Sequence, residues 1–232
     1  MNSCAVILFS GGIDSTTALY WALKEFGGTI ALVIDYSQKH RIETRMARKI
    51  AAMNGIDSHL LHLPLKGLLH SALLDDERPI PTSLAHSLDE RGVPFTYVPF
   101  RNGIFLALAA AFGESRGIFD LVTGFNRIDT PDYPDTTEAF ARKMETAINE
   151  GTSARMTGKR FRVHTPLARL NKKEIICLGL DLGADYSHSI SCYRGREEPC
   201  RKCPACEIRS RAFDELGMED PLVSRLKRGK RR

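Results

Sequence analysis

An α/β fold with a doubly wound parallel sheet is predicted by three observations. The apolar run Ala5 to Phe9 is of strand length, too short for a buried helix. It meets a glycine break and then a stretch with apolar residues at helical spacing. Strand-length and helix-length segments go on alternating through the chain, the pattern of right-handed βαβ units.

The first unit carries the chemistry. Ser10-Gly11-Gly12 breaks the strand, and Asp14, Ser15 and Thr16 offer side chains to cap the N–H groups of a helix that stops at Gly27-Gly28. A strand feeding a glycine loop and a helix N-terminus suits an anion, because backbone N–H groups and the helix dipole both face it. Glycines at 11 and 12 let a phosphate approach the backbone. Neither G-x-x-x-x-G-K-[ST] nor G-x-G-x-x-G is present. The loop reads S-G-G-x-D-S, Ser10 to Ser15, and resembles the pyrophosphate loop of N-type ATP pyrophosphatases. An ordinary strand–turn–helix with Asp14 as a cap is the plainer reading, and six matched positions favour phosphate over it.

Later elements follow in order. Thr29 to Asp35 is a second strand, Lys39 to Asn54 an amphipathic helix, and Ser58 to Leu63 a third strand. From about 64 to 94 the periodicity dissolves, which marks an insertion over the active face; its His70 and His86 read as surface residues. Arg101 and Asn102 precede an apolar helix, Ile104 to Glu114, where they can cap it locally or meet an anion. Asp120 to Phe125 is a fourth strand, Glu138 to Asn149 a helix, Arg160 to Leu167 a fifth strand, and Asn171 caps a helix bearing Lys172, Lys173 and Glu174. Ligands of open parallel sheets sit beyond the carboxyl ends of the strands, which places Ser10 to Ser15, Asp35 to Gln38 and Asn126 to Asp129 together.

Composition narrows the classes. A chain of 232 residues, 43% hydrophobic, can bury a core and suggests one domain with an appendage. No apolar run reaches membrane-spanning length and no signal-peptide pattern is present, so a cytoplasmic protein is expected. The net charge of +5 is matched by Lys227, Arg228, Lys230, Arg231 and Arg232 alone, so the basic bias belongs to the tail. A frayed, solvated terminus is expected there in preference to a nucleic-acid site.

Of six cysteines, Cys192, Cys200, Cys203 and Cys206 crowd into fifteen residues as C-x7-C-x2-C-x2-C, and Cys4 and Cys177 read as core residues. Two-residue spacings let sulfurs converge on one tetrahedral ion, and four thiolates leave no open position. Structural zinc fits; an iron–sulfur cluster is the competing occupant.

Several of these motifs occur in one order: Ser10 to Ser15, Val98-x-x-Arg101-Asn102, Gly124-x-Asn126-x-x-Asp129, Tyr133-Pro134-Asp135, Thr165-Pro166-Leu167 before a Lys-x-Glu helix, and Ser191-Cys192-Tyr193. Together, over about residues 5 to 221, they resemble the 7-cyano-7-deazaguanine synthase family of queuosine biosynthesis. The resemblance implies a Rossmann-like, adenine nucleotide alpha hydrolase-like fold. It implies an ATP-binding α/β part over 1–175, a zinc-binding helical segment over 176–221 and a basic tail over 222–232. It also implies a ligase that adenylates 7-carboxy-7-deazaguanine, forms an amide with ammonia, and adenylates again to reach the nitrile. Catalytic roles fall to Ser10, Asp14, Ser15 and Lys172. ATP, with Mg²⁺ on its phosphates, falls to Phe9, Ser10, Gly11, Gly12, Ile13, Asp14, Ser15, Thr16, Asp35 and Gly124. The acid falls to Arg101, Asn102, Asn126, Asp129, Tyr133 and Asp135, and zinc to the four cysteines. A homodimer is expected, without membrane.

The chain departs from the family at two places. Tyr133-Pro134-Asp135-Thr136-Thr137 stands where the family has Y-P-D-C-R, and Phe100 where it has a small residue. Both lie where the deazaguanine is expected, which sets the alternative of a relative that stops at the amide or conjugates the acid to another amine. A tRNA thiolase or amidotransferase subunit would bring a further catalytic cysteine or a glutaminase domain. A zinc-dependent nucleic-acid binder would leave S-G-G-x-D-S unexplained.

Overall fold

The computed structural model describes residues 3–39, 42–126 and 133–230. Its elements are β1 (Cys4–Leu8), α1 (Ile13–Glu25), β2 (Gly28–Asp35), α2 (Ile42–Met53), β3 (Ser58–His62), α3 (Arg101–Glu114), β4 (Asp120–Val122), α4 (Glu138–Gly151), α5 (Ala154–Thr157), β5 (Arg162–His164), α6 (Lys172–Asp181), α7 (Pro204–Glu215) and α8 (Pro221–Gly229). The five strands form one parallel sheet in the order β3-β2-β1-β4-β5. The doubly wound fold expected from the sequence is therefore present.

Side-chain alternation along the central strands divides the core. Ala5, Ile7, Ala31 and Val33 face one layer, shared with Leu19 of α1, Ile50 of α2, Ile175 and Ile176 of α6 and Phe213 of α7. Val6, Leu32 and Ile34 face the other, with Leu106 of α3 and Ile148 of α4. Residues beyond 176, such as Tyr186 and Phe213, thus pack into the same core as β1 and α1.

Two strands are shorter than the apolar runs suggest. At Gly124, a Cβ would lie 2.9 Å from the Ser15 backbone nitrogen and 3.1 Å from its Cα. The chain leaves the ladder at Val122 in order to press Gly124 against the start of α1. With β4 cut to three residues, the edge strand β5 has only a three-residue ladder to pair with.

The apolar helix α3 starts earlier than expected, so Arg101 and Asn102 sit in its first turn. Phe100 precedes it in the left-handed region, φ 53°, and Asp135 Oδ2 accepts from the Asn102 N–H at 3.0 Å. A non-glycine residue there carries a conformational cost.

The stretch 64–94 is irregular, as expected, with a 3-10 turn at Leu84–His86, an antiparallel bridge between Leu88 and Pro94, and exposed His70 and His86. Leu73 and Leu74 bury it against the α3 layer. As far as Lys230 the basic tail is helical and not frayed: α8, capped by Asp220, carries it with Leu222 buried, and Arg231 and Arg232 lie outside the described residues. Lys227 pairs with Glu219 and Lys230 with Glu198 on the surface, where both cations stay solvated as expected.

Replacing Gly124 with Ala should destabilise the fold by about 1–3 kcal/mol, because backbone opposes the new methyl and neither side can yield. A thermal melt showing an unchanged Tm would contradict this packing.

Candidate active site and metal centre

A cavity of about 320 Å³ opens at the carboxyl ends of the strands and is lined by Phe9, Ser10, Gly12, Ile13, Asp14 and Ser15 on one side. Helix α1 begins there without a side-chain cap: its N-cap residue is Gly12. The hydroxyls expected to cap it are used otherwise. Ser10 Oγ and Ser15 Oγ are 3.0 Å apart, and Ser15 Oγ also donates to the Gly12 carbonyl at 3.2 Å. Thr16 is fully buried and lies outside the cavity wall. The first turn of α1 therefore presents its backbone donors at the cavity, the arrangement that holds an anion.

Asp14 and Lys172 meet across the site. Lys172 Nζ donates to Asp14 Oδ1 at 2.6 Å, with the lysine side chain only 13% exposed. The capping box between Asn171 and Glu174 fixes the start of α6 and hence the lysine's origin. Beneath the pair, the Thr17 hydroxyl lies 2.6 Å from Tyr186 Oη and locks α1 to the chain after α6. Burial pushes the Tyr186 phenol up, so it stays a neutral hydrogen-bonding group.

Gly11 and Asp35, like Thr16, stand outside the cavity wall that the rest of the expected nucleotide set lines. Gly11 is buried behind the loop at φ 78°, where a Cβ would lie 2.9 Å from the Ala47 nitrogen of α2. Asp35 accepts from the Ser37 N–H at 3.0 Å and faces His62 Nδ1 at 3.4 Å, outside the cavity wall. Gly124 lines the cavity and seats on α1.

The far side of the cavity is built around Arg101. Its Nη1 donates to Tyr36 Oη at 3.1 Å, and the guanidinium sits 5.5 Å from the Tyr36 ring centre and 5.9 Å from that of Phe105. Burial works against this cation, but Tyr36, Tyr133 and Asp135 outweigh it and hold it charged. Among the described residues no carboxylate lies in ion-pair contact with Arg101. Asn102, Asn126 and Tyr133 line the same side. Asp135 is 3% exposed and works from behind as the acceptor for α3, leaving its Oδ1 buried without a partner. Asp129 lies outside the described residues.

Thr136 lines the cavity while its hydroxyl donates to the Tyr133 carbonyl at 2.9 Å, and Thr137 caps α4 by accepting from the Phe140 N–H at 3.1 Å. Both departures from the family pattern therefore hold local structure. Tyr36 and Gln38 line the cavity, as the placing of 35–38 beyond the sheet edge leads one to expect, whereas sequence reading missed Thr96, Phe105 and Tyr193, which also line it. None of these three stands at a strand end, and long-range packing brings them in from α3, the chain before it and the cysteine loop.

The four sulfurs of Cys192, Cys200, Cys203 and Cys206 lie within 4.8 Å of one another. A tetrahedral zinc asks for sulfurs about 3.8 Å apart, and Cys200 and Cys206 are at 3.9 Å. Backbone N–H groups of Cys200 and Cys203 point at Cys192 and Cys200 sulfurs at 3.4 and 3.3 Å, which suits thiolates. Hydrogen bonds from Cys203 and Cys206 draw the Cys192 thiol down, while the same contacts push Cys206 up and Cys203 to about 11. Four sulfurs converging this closely offer a complete tetrahedral shell, so the donor set fits a metal. Cys203→Ala should abolish stoichiometric metal binding and lower Tm, since metal affinity is folding energy here. Elemental analysis finding full metal in that variant would contradict the site.

Comparison with known proteins agrees with this arrangement. The family model described as queuosine biosynthesis protein QueC matches residues 4–217. A protein of Thermoplasma acidophilum named 7-cyano-7-deazaguanine synthase is 40% identical over 218 residues, covering 94% of this chain and 90% of the relative. Proteins of the same name from Cupriavidus necator and Chromobacterium violaceum are each 40% identical, over 224 and 227 residues. Each alignment covers 95% of this chain, with 97% and 93% of those relatives. With a glycine loop, a buried arginine wall and a four-cysteine centre in one frame, and a family match across nearly its whole length, this chain belongs to the QueC family of queuosine biosynthesis proteins.

Proposed function

We propose that this chain is an ATP-dependent carbon–nitrogen ligase that converts 7-carboxy-7-deazaguanine and ammonia to 7-cyano-7-deazaguanine. The observation that carries this assignment is one shared cavity, with the uncapped start of α1 and the Lys172–Asp14 pair on one side and Arg101 on the other.

The chemistry then divides along the cavity. The ATP phosphates lie at Ser10 to Ser15, where α1 N–H groups and Lys172 meet the charge that develops on pyrophosphate as it leaves. Asp14 holds Lys172 in place until then. Arg101 pairs with the acid's carboxylate, for which its planar fork is suited, and brings it to the α-phosphorus. The carboxylate oxygen attacks and pyrophosphate departs, leaving an acyl-adenylate. Ammonia adds to the acyl carbon, AMP leaves, and the amide forms. The amide oxygen attacks the α-phosphorus of a second ATP and pyrophosphate departs again; loss of AMP and the amide nitrogen's protons from the adenylated amide then gives the nitrile. Water must be kept from the acyl-adenylate, and Tyr36, Phe105 and Tyr133 supply apolar walls for that purpose.

The metal at the four cysteines is zinc in this reading, because the closed shell leaves no position for substrate. Mg²⁺ would neutralise charge on the ATP phosphates. No helix among the described residues is long and apolar enough to cross a membrane, and we place the protein in the cytoplasm.

Incubation with ATP, ammonia and the acid should yield nitrile and AMP by mass spectrometry. Asp14→Asn should fold with an unchanged Tm and lose AMP release by about a hundredfold. Wild-type turnover by that variant, or a wild type inert toward the acid, would overturn the assignment.

A further inference from the structure

Tyr193 stands directly after the metal ligand Cys192, and its ring packs both against the cluster of Cys192, Cys203 and Cys206 and against the α3 core. It hydrogen-bonds Tyr133, whose hydroxyl lies 2.8 Å from Thr96 Oγ1. Tyr193, Tyr133 and Thr96 all line the cavity, and they come from three segments: the metal loop, the turn before α4, and the chain entering α3. Two residues beyond Tyr133, Asp135 accepts from the Asn102 N–H and so fixes the turn of α3 that carries Arg101. Ser191, Ala205 and Ile208 line the cavity as well, each within two residues of a metal ligand. The metal loop thus forms a wall of the active cavity.

We propose that Tyr193 is a positioning residue for recognition of the acid. Anchored by the metal loop, its hydroxyl holds Tyr133 and with it the wall that presents Arg101. This deepens the assignment above and rests on Arg101 taking the acid. A phenol acting through space-filling alone would be replaced by phenylalanine without effect. A phenol acting through its hydroxyl would not, because chained hydroxyls in a partly dry site polarise one another. The link reaches the acid side of the cavity. The loop's connection to the nucleotide side is separate, through the Ile190 N–H to the Gly11 carbonyl at 3.0 Å, and does not involve Tyr193.

The test is equilibrium binding by calorimetry to the metal-loaded protein, with 7-carboxy-7-deazaguanine and with a non-hydrolysable ATP analogue in separate titrations. Tyr193→Phe should weaken the acid by about tenfold, the size of one hydrogen bond. Its affinity for the ATP analogue should stay within about twofold, and elemental analysis should find its metal retained. Thr96→Val removes the other end of the chain without touching the metal loop and should show the same split. Acid affinity unchanged in both variants overturns the inference. Equal weakening of acid and ATP analogue also overturns it, as a general structural effect. Should Tyr193→Phe lose metal, Thr96→Val decides by the same criteria. A wild type that binds no acid overturns the functional reading itself.

Discussion

Helix α1 opens without a side-chain cap, and the cavity is organised around that opening. Orphan backbone donors at a helix start need acceptors, and the residues that could have supplied them are held elsewhere. Ser10 and Ser15 bond each other, Asp14 is held by Lys172, and Thr16 is buried in the core. Glycine at 11 lets the loop fold against α2, and glycine at 124 lets β4 close on the other side of the same turn. The loop is thus built from packing, with its polar capacity left for a ligand.

Much of this was legible because its signals are local. A strand, a glycine break and a helix lie within twenty residues, and Cys192 to Cys206 within fifteen. The capping box at Asn171 could be anticipated from neighbouring residues as well. What escaped reading depends on distant partners. The start of α3 is set by Asp135, and the end of β4 by Ser15 of α1. Nothing in residues 98–104 or 120–125 announces those constraints. The helix in the tail escaped for a similar reason: α8 is held by burial of Leu222, which the run of basic residues does not announce.

Charge in the cavity follows a consistent plan. Lys172 and Arg209 line it with carboxylates already in contact, at Asp14 and Asp220. Arg209 is 3% exposed and grips Asp220 through two nitrogens at 2.6 and 2.8 Å, so it serves the junction of α7 and α8. Arg101 rests on phenols and aromatic faces instead, which keep it charged while leaving room for an anion. The two cavity-lining cations that carry carboxylates are held in place by them, and Arg101 is held by aromatic groups alone among its direct contacts with the described residues.

Phe100 and Gly103 form a coupled pair. A Cβ on residue 103 would lie 2.5 Å from the Phe100 ring, so alanine at 103 is blocked while the ring stays where it is. The left-handed backbone at 100 in turn favours a glycine that this chain does not use. The atoms met are the tip of a half-exposed ring, so a methyl at 103 is accommodated when the Phe100 side chain takes another rotamer. A methyl at 103 and the present Phe100 rotamer therefore exclude each other, although each is acceptable alone.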